Sequence, residues 1–212
     1  MTAVFCALAM LQAQPPFFDE IRAFVRQDRV KPPLHGQILF VGSSSFRLWA
    51  DMQKSFPHHE VLNRGFGGSC LPDVIRYADT IIFPYKPKQI VIYCGENDLA
   101  ADPKVSAKVV FSRFRTLFRL IRHKMPSVPI VYVSMKPSPS RQNLMPKMLG
   151  ANRRIERYLS LQRATRFANV HPLMLYSKGE PRRELFVEDR LHMNENGYAI
   201  WAKVIEPMLL LP

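Results

Sequence analysis

The sequence predicts an α/β fold, a three-layer sandwich in which helices cover both faces of a parallel sheet of about five strands. Short runs rich in β-branched and aromatic residues alternate about five times with segments in which apolar residues recur at helical spacing. The predicted strand Gln89–Cys94 is continuous in apolar residues after Gln89, which is typical of a strand buried on both faces of a parallel sheet. No repeat of roughly 20 to 50 residues interrupts this order.

The first half of the chain supplies a packing helix, two strands and further helices. The helix begins near Phe17 and places apolar residues on one face, and Pro32 and Pro33 break the chain after it. The next predicted elements are a strand at Gln37–Val41, a helix that ends before Pro57, a strand at Glu60–Asn63, a loop with three glycines, and a helix from Leu71 to Ile82.

The second half continues the alternation around a proline-rich segment. Its predicted elements are the strand Gln89–Cys94, a helix from Val105 to Lys124, a strand at Ile130–Ser134, a loop from Met135 to Leu149, a helix from about Ala151 to Phe167, a weak strand at Asn169–His171, and a closing helix from Asn194 to Leu211. In parallel sheets of this kind ligands gather at the carboxyl ends of the strands, so the loops that follow the strands should share one cleft.

The composition allows a packed core, but the net charge does not identify a binding partner. Of the 212 residues 47% are hydrophobic and 22% charged, which excludes disorder as the default state. The net charge of +13 favours polyanions, acidic membrane surfaces or anionic substrates. The basic residues are interpreted as spread along the whole chain, and no nucleic-acid-binding motif accompanies them, so a solvated basic surface is the favoured reading and no nucleic-acid partner is predicted.

The N-terminus resembles part of an export signal. Residues 3–11 are apolar but too short to span a bilayer, and residues 12–16 resemble a cleavage region, although the basic leading region of a signal is missing. We therefore interpret residues 1–14 as a remnant of such a signal and residues 15–212 as a single domain. The protein is then exported, periplasmic or secreted; without the signal it is cytoplasmic. Cys70 and Cys94 neither require nor exclude a disulfide.

A serine turn follows the first predicted strand. Gly42 closes that strand, and Ser43, Ser44 and Ser45 precede a segment with helical spacing. A serine on such a turn has its hydroxyl at the end of a strand and near the first free amides of a helix, which suits a nucleophile. Taken alone, the turn is better explained by Ser44 and Ser45 capping the helix, since serine before a helix is common.

A carboxylate and an imidazole stand three residues apart near the C-terminus. Asp189 and His192 would lie on one side of a helical turn at this spacing, so that Asp189 could orient the ring while the ring accepts the Ser44 proton. The alternative is that Asp189 caps a turn and His192 packs against the last helix.

Four segments together resemble the four blocks of the SGNH (GDSL-type) hydrolases. They are Gly42-Ser43-Ser44, Asn63-Arg64-Gly65-Phe66-Gly67-Gly68, Gly95-Glu96-Asn97-Asp98 and Asp189-Arg190-Leu191-His192, and the likeness extends from about Gln37 to the C-terminus. Each block is weak evidence alone, but four in order are specific. The departure is Ser43, where the family usually carries aspartate; this should alter local hydrogen bonding without abolishing activity.

The resemblance implies a flavodoxin-like sheet and a role for each matching residue. Ser44 is the nucleophile, and His192 and Asp189 complete the catalytic triad. The Ser44 and Gly68 backbone amides and the Asn97 side-chain amide form the oxyanion hole. The structural alternatives are that Gly68 only turns the chain and that Asn97 only caps a loop.

The predicted function is therefore serine ester hydrolysis without a cofactor or metal, and the ester remains open. Short loops favour acetyl or other short acyl groups on a polar alcohol such as a carbohydrate, with Arg64, Lys136 and Arg141 as candidate substrate-binding residues. An apolar rim formed by Met135, Met145 and Met148 would instead favour a lysophospholipase or thioesterase. A catalytically silent module that binds a glycan or polyanion is the alternative of another class. We predict no stable membrane insertion, and the sequence does not indicate an oligomeric state.

Overall fold

The structure, a computed structural model, describes residues 14–211. The strands are β1 (Ile38–Gly42), β2 (Val61–Gly65), β3 (Gln89–Tyr93), β4 (Ile130–Val133) and β5 (Thr165–Ala168). The helices are α1 (Phe18–Val30), α2 (Ser44–Arg47), α3 (Met52–Ser55), α4 (Leu71–Ile81), α5 (Glu96–Ala101), α6 (Ala107–Lys124), α7 (Met145–Leu159) and α8 (Glu195–Ile205). The predicted export-signal remnant falls almost wholly on residues 1–13, outside the described part.

All five strands belong to one parallel sheet in the order β2-β1-β3-β4-β5. This is the flavodoxin-like order, in which the crevice for a ligand opens at the carboxyl ends of β1 and β3. Gly42 at the end of β1 is level with Gly65 of β2 and with Tyr93 of β3. The predicted fold class is confirmed, and the segments that follow β1, β2 and β3 emerge side by side at one edge of the sheet.

Helices cover both faces of the sheet, because successive strand residues point to opposite sides. In β1, Leu39 and Val41 pack into the core under α1, α4, α6 and α7, whereas Ile38 and Phe40 pack into the core on the other face, with α2, α3 and α8. Both cores contain fully buried aromatic residues, Phe114 in the first and Trp201 in the second. The sheet is thereby a rigid support for the loops at its edge.

Two elements near the proline-rich segment differ from their predicted positions. Helix α7 begins at Met145 rather than near Ala151, because Pro146 occupies the first turn, where a helix needs no proline N–H. The last strand lies at Thr165–Ala168 rather than Asn169–His171. The amides of Val170 and His171 instead donate to the Ser134 hydroxyl. The predicted long loop is correspondingly shorter.

None of the helices in the described part is both long and apolar enough to cross a bilayer.

Candidate active site

The serine turn depends on a glycine at the end of β1. Gly42 has φ 149°, and a Cβ atom at this position would lie 1.9 Å from the carbonyl oxygen of Tyr93. Only glycine therefore fits where β1 ends against β3. The chain then enters α2 at Ser44, with the side chains of Ser43 and Ser45 buried and that of Ser44 partly exposed.

Ser44, His192 and Asp189 form a continuous chain of hydrogen bonds. The Nε2 atom of His192 lies 2.9 Å from Ser44 Oγ, and its Nδ1 atom lies 2.5 Å from Asp189 Oδ2. An ionised carboxylate only accepts hydrogen bonds, so Nδ1 is assigned as the donor and Nε2 as the acceptor of the Ser44 proton. The structure thus brings together, across 148 residues of sequence, the three side chains whose types suit nucleophilic catalysis.

The Asp189–His192 segment is a closed loop and not the helical turn that the spacing suggested. An antiparallel bridge between Phe186 and Met193 closes it, and the Val187 amide donates to the His192 carbonyl over 2.9 Å. Inside the loop, Asp189 Oδ1 accepts from the amides of Leu191 and His192, each at 2.8 Å. The carboxylate is therefore fixed by backbone groups before it contacts the imidazole.

The electrostatics of Asp189 favour its charged form. Burial alone would raise the pKa of this carboxyl, but the amides of His192 and Leu191 and the hydrogen bond to the His192 ring outweigh burial, and the pKa lies below its ordinary value. Asp189 is thus an anion at neutral pH, able to stabilise a positive charge that develops on the ring.

The backbone amides of Ser44 and Gly68 and the side-chain amide of Asn97 are the candidate donors to a carbonyl oxygen held at Ser44. Among the hydrogen bonds of residues 14–211, the backbone amides of Ser44 and Gly68 have no acceptor. A Cβ atom on Gly68 would have only Asn97 Nδ2 nearby, at 3.9 Å, so these two groups are neighbours. Asn97 and Ser44 line the same pocket. Such donors can stabilise an oxyanion.

The carboxamide of Asn97 is held on both sides. Its Nδ2 donates to the Ser69 carbonyl over 3.1 Å, which uses one of its two hydrogens. Its Oδ1 accepts from Arg141 Nη1 over 2.9 Å. Because a cation contacts the oxygen, the amide orientation is fixed with nitrogen toward the Gly68 side, and one N–H remains for a ligand.

Sequence reasoning did not anticipate the buried ion-pair cluster beneath this pocket. Glu96 accepts from Arg141 over 2.9 Å and from Lys136 over 3.1 Å, and the Tyr93 hydroxyl also donates to it. Burial would raise the pKa of Glu96, but the charges of Lys136 and Arg141 outweigh it and lower the pKa. Burial lowers the pKa of Lys136, and the Glu96 carboxylate offsets part of that effect.

The ion-pair cluster changes the interpretation of two predicted substrate-binding residues. Lys136 is fully buried, with its ammonium group on Glu96, so it supports the pocket from below. Arg141 is partly exposed, and one of its nitrogens contacts both Glu96 and Asn97. Both side chains lie at the pocket, and both are engaged with protein groups. In the sequence, the acidic residue Glu96 between Gly95 and Asn97 is the feature that could have indicated this ion-pair cluster.

The third predicted substrate-binding residue, Arg64, lies elsewhere. Its guanidinium is buried, forms an ion pair with Asp28 of α1, donates to the Tyr85 hydroxyl over 2.8 Å and stacks on Phe24. Strand alternation explains this, since Arg64 belongs to β2 and points to the same side of the sheet as Leu62, under α1. The structure does not bring Arg64 to the pocket beside Ser44.

Neither cysteine near this edge is a competing nucleophile. Cys70 and Cys94 are free thiols. Burial and the nearby carboxylate of Asp98 raise the pKa of Cys70 to about 12, and burial raises the pKa of Cys94 well above its ordinary value. Asp98 itself accepts from the Leu71 amide and from Arg113, so it joins α4, α5 and α6 behind the site.

The pocket beside Ser44 is small. Its volume is about 10 Å³, and it is lined by Ser43, Ser44, Ser45, Glu96, Asn97, Lys136, Arg141, Leu191 and His192. A larger cavity of about 530 Å³ lies at the opposite edge of the sheet, between the segments that precede β1, β2 and β3. We assign the active site to the smaller pocket because its lining includes Ser44 and His192, which are hydrogen-bonded to each other. Within the described residues no group of three or more His, Cys, Asp or Glu is arranged to hold a metal.

A parallel sheet with a serine after β1 and a hydrogen-bonded His and Asp before the last helix defines an SGNH-type ester hydrolase. The chain belongs to the GDSL-like lipase/acylhydrolase family, whose model matches residues 39–200. It is thus an SGNH-type esterase that acts on ester substrates, and the predicted family and enzyme class are confirmed. A search of curated proteins gave no match.

Solved structures share the fold at low sequence identity. A GDSL-like lipase from Bacteroides thetaiotaomicron VPI-5482 is 18% identical, with a TM-score of 0.74 over 88% of this chain and 95% of the other. A variant of Axe2, an acetyl-xylooligosaccharide esterase from Geobacillus Stearmophilus, is 14% identical, with a TM-score of 0.64 over 84% and 96%. An acetyl esterase variant solved with acetate ion is 14% identical, with a TM-score of 0.65 over 81% and 95%.

Proposed function

We propose that this esterase releases short acyl groups, acetyl above all, from a polar alcohol such as a carbohydrate, through an acyl-enzyme formed on Ser44. The single observation that carries the mechanism is the unbroken chain from Ser44 Oγ through His192 to Asp189, at 2.9 and 2.5 Å. A serine hydroxyl is a weak nucleophile until an adjacent base accepts its proton, and this geometry supplies that base.

The reaction divides into two acyl transfers. Ser44 Oγ attacks the ester carbonyl while its proton moves to His192 Nε2, and the oxyanion that forms accepts from the amides of Ser44, Gly68 and Asn97. Collapse of this intermediate breaks the ester C–O bond, and the alcohol leaves with the proton from His192. Water then attacks the carbonyl of the acyl-serine and gives a proton to His192. Collapse of this second intermediate breaks the bond between the acyl carbon and Oγ, His192 returns the proton to Oγ, and the carboxylic acid leaves.

The size of the pocket supports a short acyl group. The enclosed space beside Ser44, about 10 Å³, is far below the range of 300–1,000 Å³ typical of sites for larger ligands. The methionine rim that would have favoured a lipid is not available, because Met135 and Met148 are fully buried in the core. Two structures with this fold are of acetyl esterases, one of them acting on acetyl-xylooligosaccharide, which suits the same proposal for this chain.

A longer acyl chain is the second candidate, favoured by one observation. A groove of about 410 Å³ is lined by Leu48, Trp49, Met193 and Tyr198, among others, and Met193 directly follows His192 in the sequence. Leu48 is 41% exposed there. A lysophospholipase or thioesterase could lay an acyl chain along this apolar surface.

Acyl length separates the two candidates. We expect kcat/KM for p-nitrophenyl esters to be highest for acetate and to fall by about ten-fold or more by octanoate, since a methylene that does not fit forfeits its binding energy. The series is measured below the micelle-forming concentration. A steady rise with acyl length, abolished by Leu48→Arg, would instead place the chain in the apolar groove; Leu34→Arg, an exposed leucine away from the site, is the matched control.

Removing the Asn97 amide should act on turnover more than on binding. Asn97→Ala is expected to lower kcat by about 10²- to 10³-fold, as for other oxyanion donors, with a smaller change in KM. Asn97→Asp keeps the shape and the Arg141 contact but loses the N–H, and it should be equally impaired. A change confined to KM, measured by steady-state kinetics on p-nitrophenyl acetate, would assign Asn97 to substrate binding instead.

Hydrolysis should fall as the pH drops, because a protonated His192 Nε2 cannot accept the Ser44 proton. The pKa of Asp189 lies below its ordinary value, so this carboxylate stays charged in weakly acidic solution. The kcat/KM profile should therefore rise with pH through a single ionisation to a plateau. Circular dichroism over the same range checks that the fold persists. A profile that rises toward acid pH would contradict a histidine base.

A further inference from the structure

The net positive charge of the chain is concentrated in one segment. Residues 104–166 contain 15 of the 30 Lys and Arg residues but one of the 17 acidic residues, Glu156. The remaining chain contains 15 basic and 16 acidic residues and is almost neutral. Basic residues occur along the whole chain, but acidic residues are almost absent from residues 104–166, so the net charge is not evenly distributed.

The fold gathers this charge on two adjacent helices. On the face of the sheet that carries α1, α4, α6 and α7, helix α1 has three basic and three acidic residues, and α4 has one basic and two acidic residues. Helix α6 has six Lys and Arg residues and no acidic residue, and α7 has four against one. The asymmetry thus distinguishes α6 and α7 from the other helices of the same layer.

Six side chains define what we name the basic face: Lys108, Arg115 and Arg119 of α6, Arg154 and Arg157 of α7, and Arg163 in the turn after α7. Five of them are exposed and Arg115 is partly exposed. Within residues 14–211 none of the six forms an ion pair. Arg115 and Arg119 stand four residues apart, a spacing at which like charges oppose helix formation. The basic face is therefore not explained by the stability of the fold.

The basic face extends away from the active-site edge. Helix α6 follows α5, which contains Asn97, and α7 follows the segment that contains Arg141. Both helices run from the carboxyl edge of the sheet to its opposite edge, and the 18 residues of α6 span about 27 Å at 1.5 Å per residue. A polymer that lies along the two helices can thus reach over this edge toward Ser44.

We propose that the basic face binds an anionic polysaccharide, a polymer with carboxylate-bearing sugars, and presents its acyl esters to the pocket beside Ser44. This inference rests on the proposed function and names the substrate class. Arginine pairs well with planar carboxylates, and a row of unpaired cations raises the local concentration of a polyanion. A sugar polymer also offers the polar alcohol that the proposed reaction requires.

Two other polyanions fit the surface less well. Single-stranded nucleic acids are held by exposed aromatic rings, whereas Phe111, Phe114 and Phe118 of α6 all turn inward to the core. A membrane surface would favour exposed apolar side chains among the basic ones. Of the exposed large apolar residues within residues 14–211, only Val109 and Leu161 lie on or beside these helices. A flat bilayer on the basic face would also not contact Ser44, which lies at the carboxyl edge of the sheet.

The test compares two triple variants with the same change in charge. Arg119→Glu, Arg157→Glu and Arg163→Glu are combined on the basic face; Arg26→Glu, Arg76→Glu and Lys203→Glu are combined on α1, α4 and α8 as the control. All six positions are exposed. Acetate release is measured from an acetylated polyuronate, from neutral acetylated xylan and from p-nitrophenyl acetate, each at low and high NaCl.

We expect the basic-face variant to lose about ten-fold or more in kcat/KM on the polyuronate, and high salt to remove the advantage of the wild type. The control should change by less than about two-fold on the polyuronate, and both variants should keep wild-type rates on the neutral substrates. Equal losses in both variants, equal losses on acetylated xylan, or an unchanged rate on the polyuronate would each overturn the proposal.

Binding measured without turnover separates this proposal from the proposed function. In a Ser44→Ala background, the basic-face variant should bind deacetylated polyuronate more weakly than the control variant does. If no polymer or small ester is hydrolysed by the wild type, the proposed function fails, whereas the binding difference still supports the basic face. A loss of affinity confined to single-stranded DNA or to phosphatidylglycerol vesicles would assign the face to that partner and overturn the polysaccharide.

Discussion

Ser44→Ala should reduce ester hydrolysis by about 10⁴-fold or more while the protein stays folded. The expected loss follows from the position of Ser44 Oγ, 2.9 Å from the only histidine in the pocket lining, and matches the size of effect when a nucleophile is removed from a hydrogen-bonded triad. The side chain is partly exposed and its hydroxyl contacts only His192, so its loss costs little packing. Turnover of p-nitrophenyl acetate and the thermal unfolding midpoint are the two measurements.

The neighbouring serines provide matched controls. Ser43 and Ser45 are both buried, and neither contacts His192 within the described structure. Ser43→Ala and Ser45→Ala should therefore change turnover much less than Ser44→Ala. Near-normal activity in Ser44→Ala together with loss in either neighbour would mean that the nucleophile of this turn is misassigned. Ser43→Asp, which installs the residue usual in the family, should retain activity.

His192→Ala should be about as damaging as Ser44→Ala. Within residues 14–211, His192 is the side chain hydrogen-bonded to Ser44 Oγ, so without the ring no positioned base accepts the Ser44 proton or returns it to the leaving alcohol. A decrease of about 10⁴-fold or more in kcat is expected. The two losses should not add, because the residues act as a unit; the double variant should be no slower than either single one. Steady-state kinetics of the three variants provide this comparison.

Asp189→Asn distinguishes orientation of the ring from simple packing of the loop. The amide keeps the shape of the carboxylate and an acceptor for the amides of Leu191 and His192. It does not supply the negative charge that stabilises the imidazolium, so kcat should fall strongly while the unfolding midpoint moves little. Parallel losses of stability and activity would instead indicate that Asp189 serves the loop alone.

The fold could be predicted because four of the five strands have a local signature, whereas β5 was predicted a few residues too late in the chain. Continuous apolar runs such as residues 90–93 indicate buried parallel strands. The order of strands and helices requires that the loops after the strands meet at one edge. Ser44 and Asn97 each follow such a strand, so their convergence is a property of the topology. His192 joins them because its loop precedes α8, which packs on the face that carries α2.

The remaining features depend on tertiary contacts that short-range patterns do not encode. Arg64 stands in a block of the family pattern, yet β2 extends to Gly65 and strand alternation turns the arginine toward Asp28 and Tyr85. Lys136 looks like a surface cation in sequence, but it is fully buried because Glu96, 40 residues earlier, offers it a carboxylate. Such ion pairs can be recognised only when the position of the partner residue in the fold is known.

Location of the acyl group on the enzyme tests the mechanism most directly. The protein is mixed with p-nitrophenyl acetate, quenched in acid during the first turnovers, digested, and fragmented by tandem mass spectrometry to resolve Ser43, Ser44 and Ser45. We expect one acetyl group on Ser44 and none on the Ser44→Ala variant. The acetyl-enzyme should accumulate when deacylation is slower than acylation. An acetyl group on a different residue, or full turnover by an enzyme that never carries one, would contradict an acyl-enzyme formed at Ser44.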